Sequence, residues 1–160
     1  MVAPAPRVVV GVDGSPHSRA ALRFAVDEAR QRGARLEVVH SWHYPYASES
    51  AWALAYPSAF ESIQASAQYV LDEAERAARH WGPDIEIEPR LVCGDPAATL
   101  IDRAAGADLL VVGSRGRGGF AGLLLGSVSH QCTQHAPCPV VVVPGTVDAP
   151  EGSAESSTVE

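Results

Sequence analysis

The chain has 160 residues, 46% hydrophobic and 19% charged, a composition that predicts one globular domain with a single sizeable core. All 12 basic residues are arginine, which excludes a phosphate-loop lysine, a Schiff-base lysine and a pyridoxal-type site at the outset. The formal charge is −7, but Asp148, Glu151, Glu155 and Glu160 follow Pro144 with no base among them, so residues 1–144 carry only −3. A net-negative chain has no general attraction for nucleic acid, and none is expected as a partner.

No stretch reaches the roughly 18 uninterrupted apolar residues of a membrane span, and residues 1–6 are too short and too uncharged for a secretory signal. Cys93, Cys132 and Cys138 are odd in number and irregularly spaced, which suits reduced thiols better than a disulfide framework. The expectation is a cytoplasmic protein with no membrane partner.

In chain order, residues 7–12 form a β-branched apolar run that stops at Asp13-Gly14-Ser15-Pro16, a buried strand ending in a turn. Ala21, Leu22, Ala25, Val26 and Ala29 then recur at helical spacing up to Gly33, which can supply a left-handed C-terminal cap. Residues 35–41 repeat the strand pattern. Ser58 and Glu61 are spaced as a capping box for a long helix with the stripe Phe60, Ile63, Ala67, Val70, Leu71, Ala74 and Ala78, ending near His80. Residues 86–93 alternate as a strand. Asp95 and Pro96 occupy N-cap and first-turn positions of a third helix, residues 108–113 form a fourth strand, 127–135 a fourth helix and 139–143 a fifth strand. Five strands alternating with four helices, the strands apolar on both faces, predict an α/β sandwich around a parallel sheet. Ligands of such sheets bind beyond the carboxyl ends of the strands, so the segments after Val12, Val39, Val92 and Val112 are the candidates.

The segment after the fourth strand, Gly113-Ser114-Arg115-Gly116-Arg117-Gly118-Gly119 and on to Gly126-Ser127, is glycine-rich and opens a helix. Glycines there let main-chain N–H groups converge on an anion, and the helix dipole adds to their field. The 39 residues between Asp108 and Asp148 hold no carboxylate, whereas Arg115, Arg117, His130 and His135 lie among them. A phosphate-loop signature fails for want of lysine. A Rossmann fingerprint through Gly116, Gly118 and Ala121 fails because those glycines do not open the helix and no acid follows at the ribose-binding distance. One short arginine-glycine copy is a weak RNA signal.

Taken with Val8-Val9-Val10-Gly11-Val12-Asp13-Gly14-Ser15 and the closing His135-Ala136-Pro137-Cys138-Pro139, the spacing Gly113, two residues, Gly116, nine residues, Gly126-Ser127 resembles the ATP-binding branch of the universal stress protein family. The resemblance implies a three-layer, Rossmann-like sandwich with a five-stranded parallel sheet, of the adenine nucleotide alpha hydrolase-like type. It also implies a nucleotide-binding domain over residues 1–144. Residues 145–160 read as a disordered acidic tail. The implied ligand is an adenine nucleotide, ATP with or without Mg2+. Its phosphates would lie on Gly116, Gly126 and Ser127, with the ribose or adenine near Asp13 and the base against the main-chain edge of Gly11, Val12 and Ser41. The candidate nucleotide-binding set is Gly11, Val12, Asp13, Ser41, Gly113, Arg115, Gly116, Arg117, Gly126, Ser127, Val128 and Ser129. Ser127 and Ser129 supply hydroxyl donors, and the two arginines supply charge at the rim. Polar Ser41 and bulky Trp42 stand where many relatives carry small aliphatics.

Other features have structural readings. Asp13 also suits a turn or cap. His130, Cys132, His135 and Cys138 resemble a metal set, but His130 points away from the helix face of Cys132 and His135, and Pro137 and Pro139 stiffen the approach of Cys138, so no metal site is expected. Cys93 is expected to pack at a strand end. Trp42, Tyr44, Tyr46, Trp52, Tyr56 and Phe60 crowd a loop of some 15 residues that suits a lid, a partner surface or packing over a sheet edge.

No catalytic residue set is visible: the loop offers arginines but no magnesium carboxylate or water-positioning base. The expectation is a nucleotide-dependent regulatory or stress-response protein with negligible turnover and an unknown regulatory partner. The alternatives are a slow ATPase, or an interaction module binding cyclic AMP or no nucleotide. The apolar last strand predicts a homodimer, since such edges are seldom left uncovered, and the resemblance implies antiparallel pairing there.

Overall fold

Strands β1 (Arg7–Gly11), β2 (Arg35–Trp42), β3 (Ile87–Cys93), β4 (Leu109–Gly113) and β5 (Val140–Val143) form one parallel sheet in the order β3-β2-β1-β4-β5. They belong to a computed structural model that describes residues 5–43, 49–117 and 122–145. The predicted acidic tail beyond Gly145 and the aromatics Tyr44 and Tyr46 lie outside the described residues, as do Gly118, Gly119 and Ala121.

The helices are α1 (Pro16–Arg32), α2 (Glu49–Ala55), α3 (Pro57–Trp81), α4 (Pro96–Arg103) and α5 (Ser127–His135). Alternation of side chains along the central strands divides the core in two. Val8, Val10, Leu36, Val38 and Val111 pack with Leu22, Ala25, Val26, Leu71 and Ala78 of α1 and α3. Val9, Val39, Leu110 and Val112 pack with Leu100 of α4 and Cys132 of α5 on the opposite face. The fold is therefore an α/β three-layer sandwich of the Rossmann-like kind. The strand order reverses between β1 and β4, and the crevice at their carboxyl ends is the place such a sheet offers a ligand.

Local chemistry sets the boundaries. Ser15 caps α1, its Oγ accepting from the Ser18 amide, and Gly33 ends it in the left-handed region at φ 60°. Asp95 caps α4 through the Ala98 amide.

Four expectations change. The aromatic loop contains a fifth helix, α2, whose seven residues are too few to show an amphipathic stripe. The capping box of Ser58 and Glu61 does not form: Pro57 fits the first helical position, so Tyr56 becomes the N-cap and Ser58 lies inside α3. Cys93 is exposed rather than packed, because β3 is an edge strand and Cys93 is its last residue. The strands are not wholly apolar, since Glu37 in the middle of β2 is 2% exposed. Arg7 Nη1 meets its Oε2 at 2.7 Å and Arg103 Nη1 approaches Oε1 at 3.3 Å, giving the buried charge two partners.

Candidate functional site

At the end of β1 the chain leaves the sheet through a turn that Asp13 holds closed. Val12 donates its N–H to the Val39 carbonyl at 2.9 Å, and its own carbonyl accepts from His40 Nδ1 at 2.7 Å. Asp13 Oδ1 accepts from the Ser15 amide at 2.9 Å, which is the turn role, while Oδ2 accepts from the Arg117 amide at 3.1 Å. Gly14, at φ 80°, takes the left-handed conformation this turn requires. Burial pushes the Asp13 carboxyl up, but hydrogen bonds from Ser15, Ser18 and Arg117 outweigh it and hold the group below the usual aspartate value. Asp13 is a carboxylate at neutral pH.

At the end of β4 the glycine loop is pinned at its two ends. Ser114 donates to the Val143 carbonyl at 2.8 Å, and Gly126 donates back to the Ser114 carbonyl at 2.7 Å. The buried Ser129 hydroxyl lies 3.1 Å from the Ser114 carbonyl and 3.0 Å from that of Gly126, so its proton is used to fasten the loop to α5. Gly126 is the N-cap of α5 and has no side chain to cap it, unlike Ser15 and Asp95. The first amides of α5, beginning with Ser127 and Val128, have no intrahelical acceptor and face the crevice with the positive end of the dipole.

The two strand ends enclose a cleft of about 240 Å³. All twelve candidate residues line it: Gly11, Val12, Asp13 and Ser41 from the β1 and β2 ends, Gly113, Arg115, Gly116 and Arg117 from the loop, and Gly126, Ser127, Val128 and Ser129 from the start of α5. Ser18, Val39, Pro96, Leu100 and Val112 line it as well. Val39 and Val112 continue strands already flagged. Pro96 and Leu100 come from α4, whose first turn closes the cleft's far side; its N-cap signal and apolar stripe were legible, but not the direction it faces. Ser41 Oγ donates to the Gly94 carbonyl at 2.6 Å, fastening β2 to the turn before α4.

Close packing accounts for two glycines. A Cβ on Gly116 would stand 2.6 Å from Asp13 Oδ2, and one on Gly113 2.8 Å from the main-chain carbonyl carbon of His17 in α1. The first glycine keeps the loop against the carboxylate; the second lets α1 lie on β4.

Charge is distributed unevenly. Nine arginines stand beside carboxylates, from Arg7 at Glu37 to Arg103 at the same residue. Among the described residues Arg19, Arg115 and Arg117 have no carboxylate partner, and the last two border this cleft. The cleft thus presents an apolar slot at Val39, Leu100 and Val112, a hydrogen-bond acceptor at Asp13, and a cationic, amide-rich end at Gly116 and Gly126 to Val128. It can hold a flat apolar group, accept from hydroxyls and donate to an anion.

Among the described residues no group of three or more His, Cys, Asp or Glu could hold a metal ion. Cys132 is buried, which with the charge of Asp95 pushes its thiol up to about 11. No helix of the described residues is long and apolar enough to cross a membrane.

Comparison with known proteins agrees with this geometry. Universal stress protein Rv2005c of Mycobacterium tuberculosis is 40% identical over 136 residues, covering 84% of this chain and 44% of that protein. The chain thus spans less than half the length of that curated relative. A universal stress protein solved in complex with cAMP superposes with a TM-score of 0.64 at 31% identity, covering 90% of this chain and 100% of the other. The universal stress protein of Archaeoglobus fulgidus in complex with dAMP gives 0.63 at 27%, covering 89% and 99%. The sequence profile of the universal stress protein family matches residues 5–144, which takes in both strand ends and the glycine loop; the chain belongs to that family.

Proposed function

We propose that this protein binds an adenine nucleotide, with ATP the physiological ligand, and acts as a nucleotide-dependent regulatory protein of the stress response. The observation that carries the reading is the junction of Asp13 with the glycine loop, which sets a carboxylate beside an uncapped helix start in one cleft. The order apolar slot, carboxylate, amide cradle is the order base, ribose, phosphate. Asp13 accepts from ribose hydroxyls. The amides of Gly116, Ser127 and Val128 donate to phosphate oxygens, and Arg115 and Arg117 add charge at the rim. The base lies between Val39 and Leu100, bounded by Gly11, Val12 and Ser41. The dAMP and cAMP complexes of the two relatives support the ligand class.

Turnover is negligible in this reading. Among the described residues Asp13 is the one carboxylate lining the cleft; it is engaged by two main-chain amides and assigned to the ribose, and no other carboxylate among them is placed to orient water at a terminal phosphate. Mg2+ would be held by the phosphates rather than by protein ligands. The protein works in the cytoplasm as a homodimer through β5, whose four valines are all only partly buried at the sheet edge, and it answers to a regulatory partner.

The cAMP complex of the 31% identical relative favours a second reading in which the ligand is cyclic. Gentle purification, denaturation and mass spectrometry of the released nucleotide decide between them: ATP supports the first, cAMP the second, and no nucleotide with no later uptake contradicts both. Phosphate release well above one turnover per hour would establish an ATPase instead.

A further inference from the structure

A second cleft of about 230 Å³ opens on the other face of the sheet, between α1 and α3. Small side chains leave it unfilled: Gly14, Ser15 and Ser18 line one wall and Ala74 and Ala77 the other, while Leu22 and Val70 form an apolar floor. Its mouth is cationic. Arg19 and Arg117 line it, and both belong to the three arginines without a carboxylate partner among the described residues. The one carboxylate that lines it among the described residues, Glu73, is already paired with Arg76. Arg19 is held in place from behind, its guanidinium 5.1 Å from the centre of the Trp81 ring. In a chain where nine of the twelve arginines stand beside carboxylates, two unneutralised ones over an apolar floor match an anionic head on an apolar body.

The two clefts share a wall. Val12, Ser18 and Arg117 line both, and Arg117 spans them: its amide donates to Asp13 Oδ2 on one side, while its guanidinium lies over Gly14, where a Cβ would be 2.9 Å from Nη2. We propose that the second cleft is a binding site for a small amphipathic carboxylate, and that Arg117 couples its occupancy to the first cleft. The coupling rests on the nucleotide reading above; the site itself does not.

Octanoate is the probe and octanol, of the same chain length but uncharged, its control. Calorimetric titration of the nucleotide-stripped protein should give octanoate binding at least about tenfold tighter than octanol, the worth of a charge-assisted hydrogen bond. Arg19→Gln, outside the nucleotide cleft, should weaken octanoate about tenfold and leave ATP affinity unchanged. Ala74→Leu, which crowds the cleft from its α3 wall, should weaken both probes. Saturating octanoate should shift ATP affinity several-fold in the parent protein and not in Arg117→Gln. Equal binding of octanoate and octanol, or octanoate binding indifferent to Arg19→Gln, overturns the site. If octanoate binds as described and ATP does not bind at all, the nucleotide reading fails and the site stands. If both bind independently, the coupling fails.

Discussion

Asp13 Oδ2 accepts a hydrogen bond from the main-chain N–H of Arg117 at 3.1 Å, joining the first turn of the chain to the glycine loop across 104 residues of sequence. The contact needs a glycine at 116, since any Cβ there would stand 2.6 Å from the same oxygen. The turn after β1 and the glycine loop of the cleft therefore meet at one atom.

Gly116→Ala must push either the carboxylate or the loop away, at a place that carries little of the core. The variant should keep its unfolding midpoint and lose at least about tenfold in ATP affinity, one charge-assisted hydrogen bond's worth. Gly113→Ala should behave in the opposite way: its Cβ meets the backbone of α1 at His17, and overpacking of that kind costs about 1–3 kcal/mol. Urea unfolding and ATP titration of both variants separate the two roles.

His40 links protonation to the same turn. Burial lowers its pKa below 6.5, and the Arg117 charge lowers it further; the Val12 carbonyl and Asp13 oppose this without overcoming it. The neutral ring donates from Nδ1 to Val12. Because the folded state takes up its proton later than the unfolded state, His40's contribution is complete above pH 6.5 and is lost as pH falls through the folded pKa. Stability measured by urea unfolding should decline as pH falls below 6.5, and His40→Asn, which keeps a donor near the Nδ1 position, should reduce that slope.

Glu37 is a buried carboxylate between two arginines of unequal burial, the Arg7 side chain 14% and the Arg103 side chain 38% exposed. Glu37→Ala should cost about 3 kcal/mol, because it strands the Arg7 charge inside the fold. Arg103→Ala should cost less than about 1 kcal/mol, since that partner is solvated. Equal losses in chemical denaturation would contradict this division.

The three cysteines should separate by reactivity with a thiol reagent. Exposed Cys93 reacts first. Cys138, partly buried and with its thiol pushed up by burial, follows, and Cys132 reacts only on unfolding. Mass mapping of the labelled peptides at neutral pH gives the order.

Much of this was legible in the sequence. Short β-branched runs ended by turn residues gave the five strands, and the capping signals at Asp95 and Gly33 gave helix ends that the structure reproduces. The helix 127–135 was placed to the residue. The twelve candidate residues, drawn from spacing and resemblance, line a single cleft. What was hidden depends on three-dimensional neighbours. Leu100 and Ser18 reach the cleft through the facing of their helices, which periodicity alone does not orient against a partner. Glu37 reads as a polar interruption of a strand until Arg7 and Arg103 arrive beside it. Pro57 overrode the Ser58 capping signal because its fixed φ suits the first helical position. The gap between α1 and α3 arises from small side chains on separate elements, and no local pattern announces it.

Titration of ATP into nucleotide-stripped protein, alongside Gly126→Val, tests the central claim most directly. A Cβ at Gly126 finds only ordinary contacts, 3.5 Å from Arg115 Cα and 3.6 Å from the Ser114 carbonyl oxygen, so the variant should fold while its branched side chain covers the first amides of α5. The account predicts stoichiometric ATP binding by the parent chain and a loss of at least about a hundredfold in the variant, the worth of two charge-assisted hydrogen bonds. ATP binding of equal strength in both would contradict it.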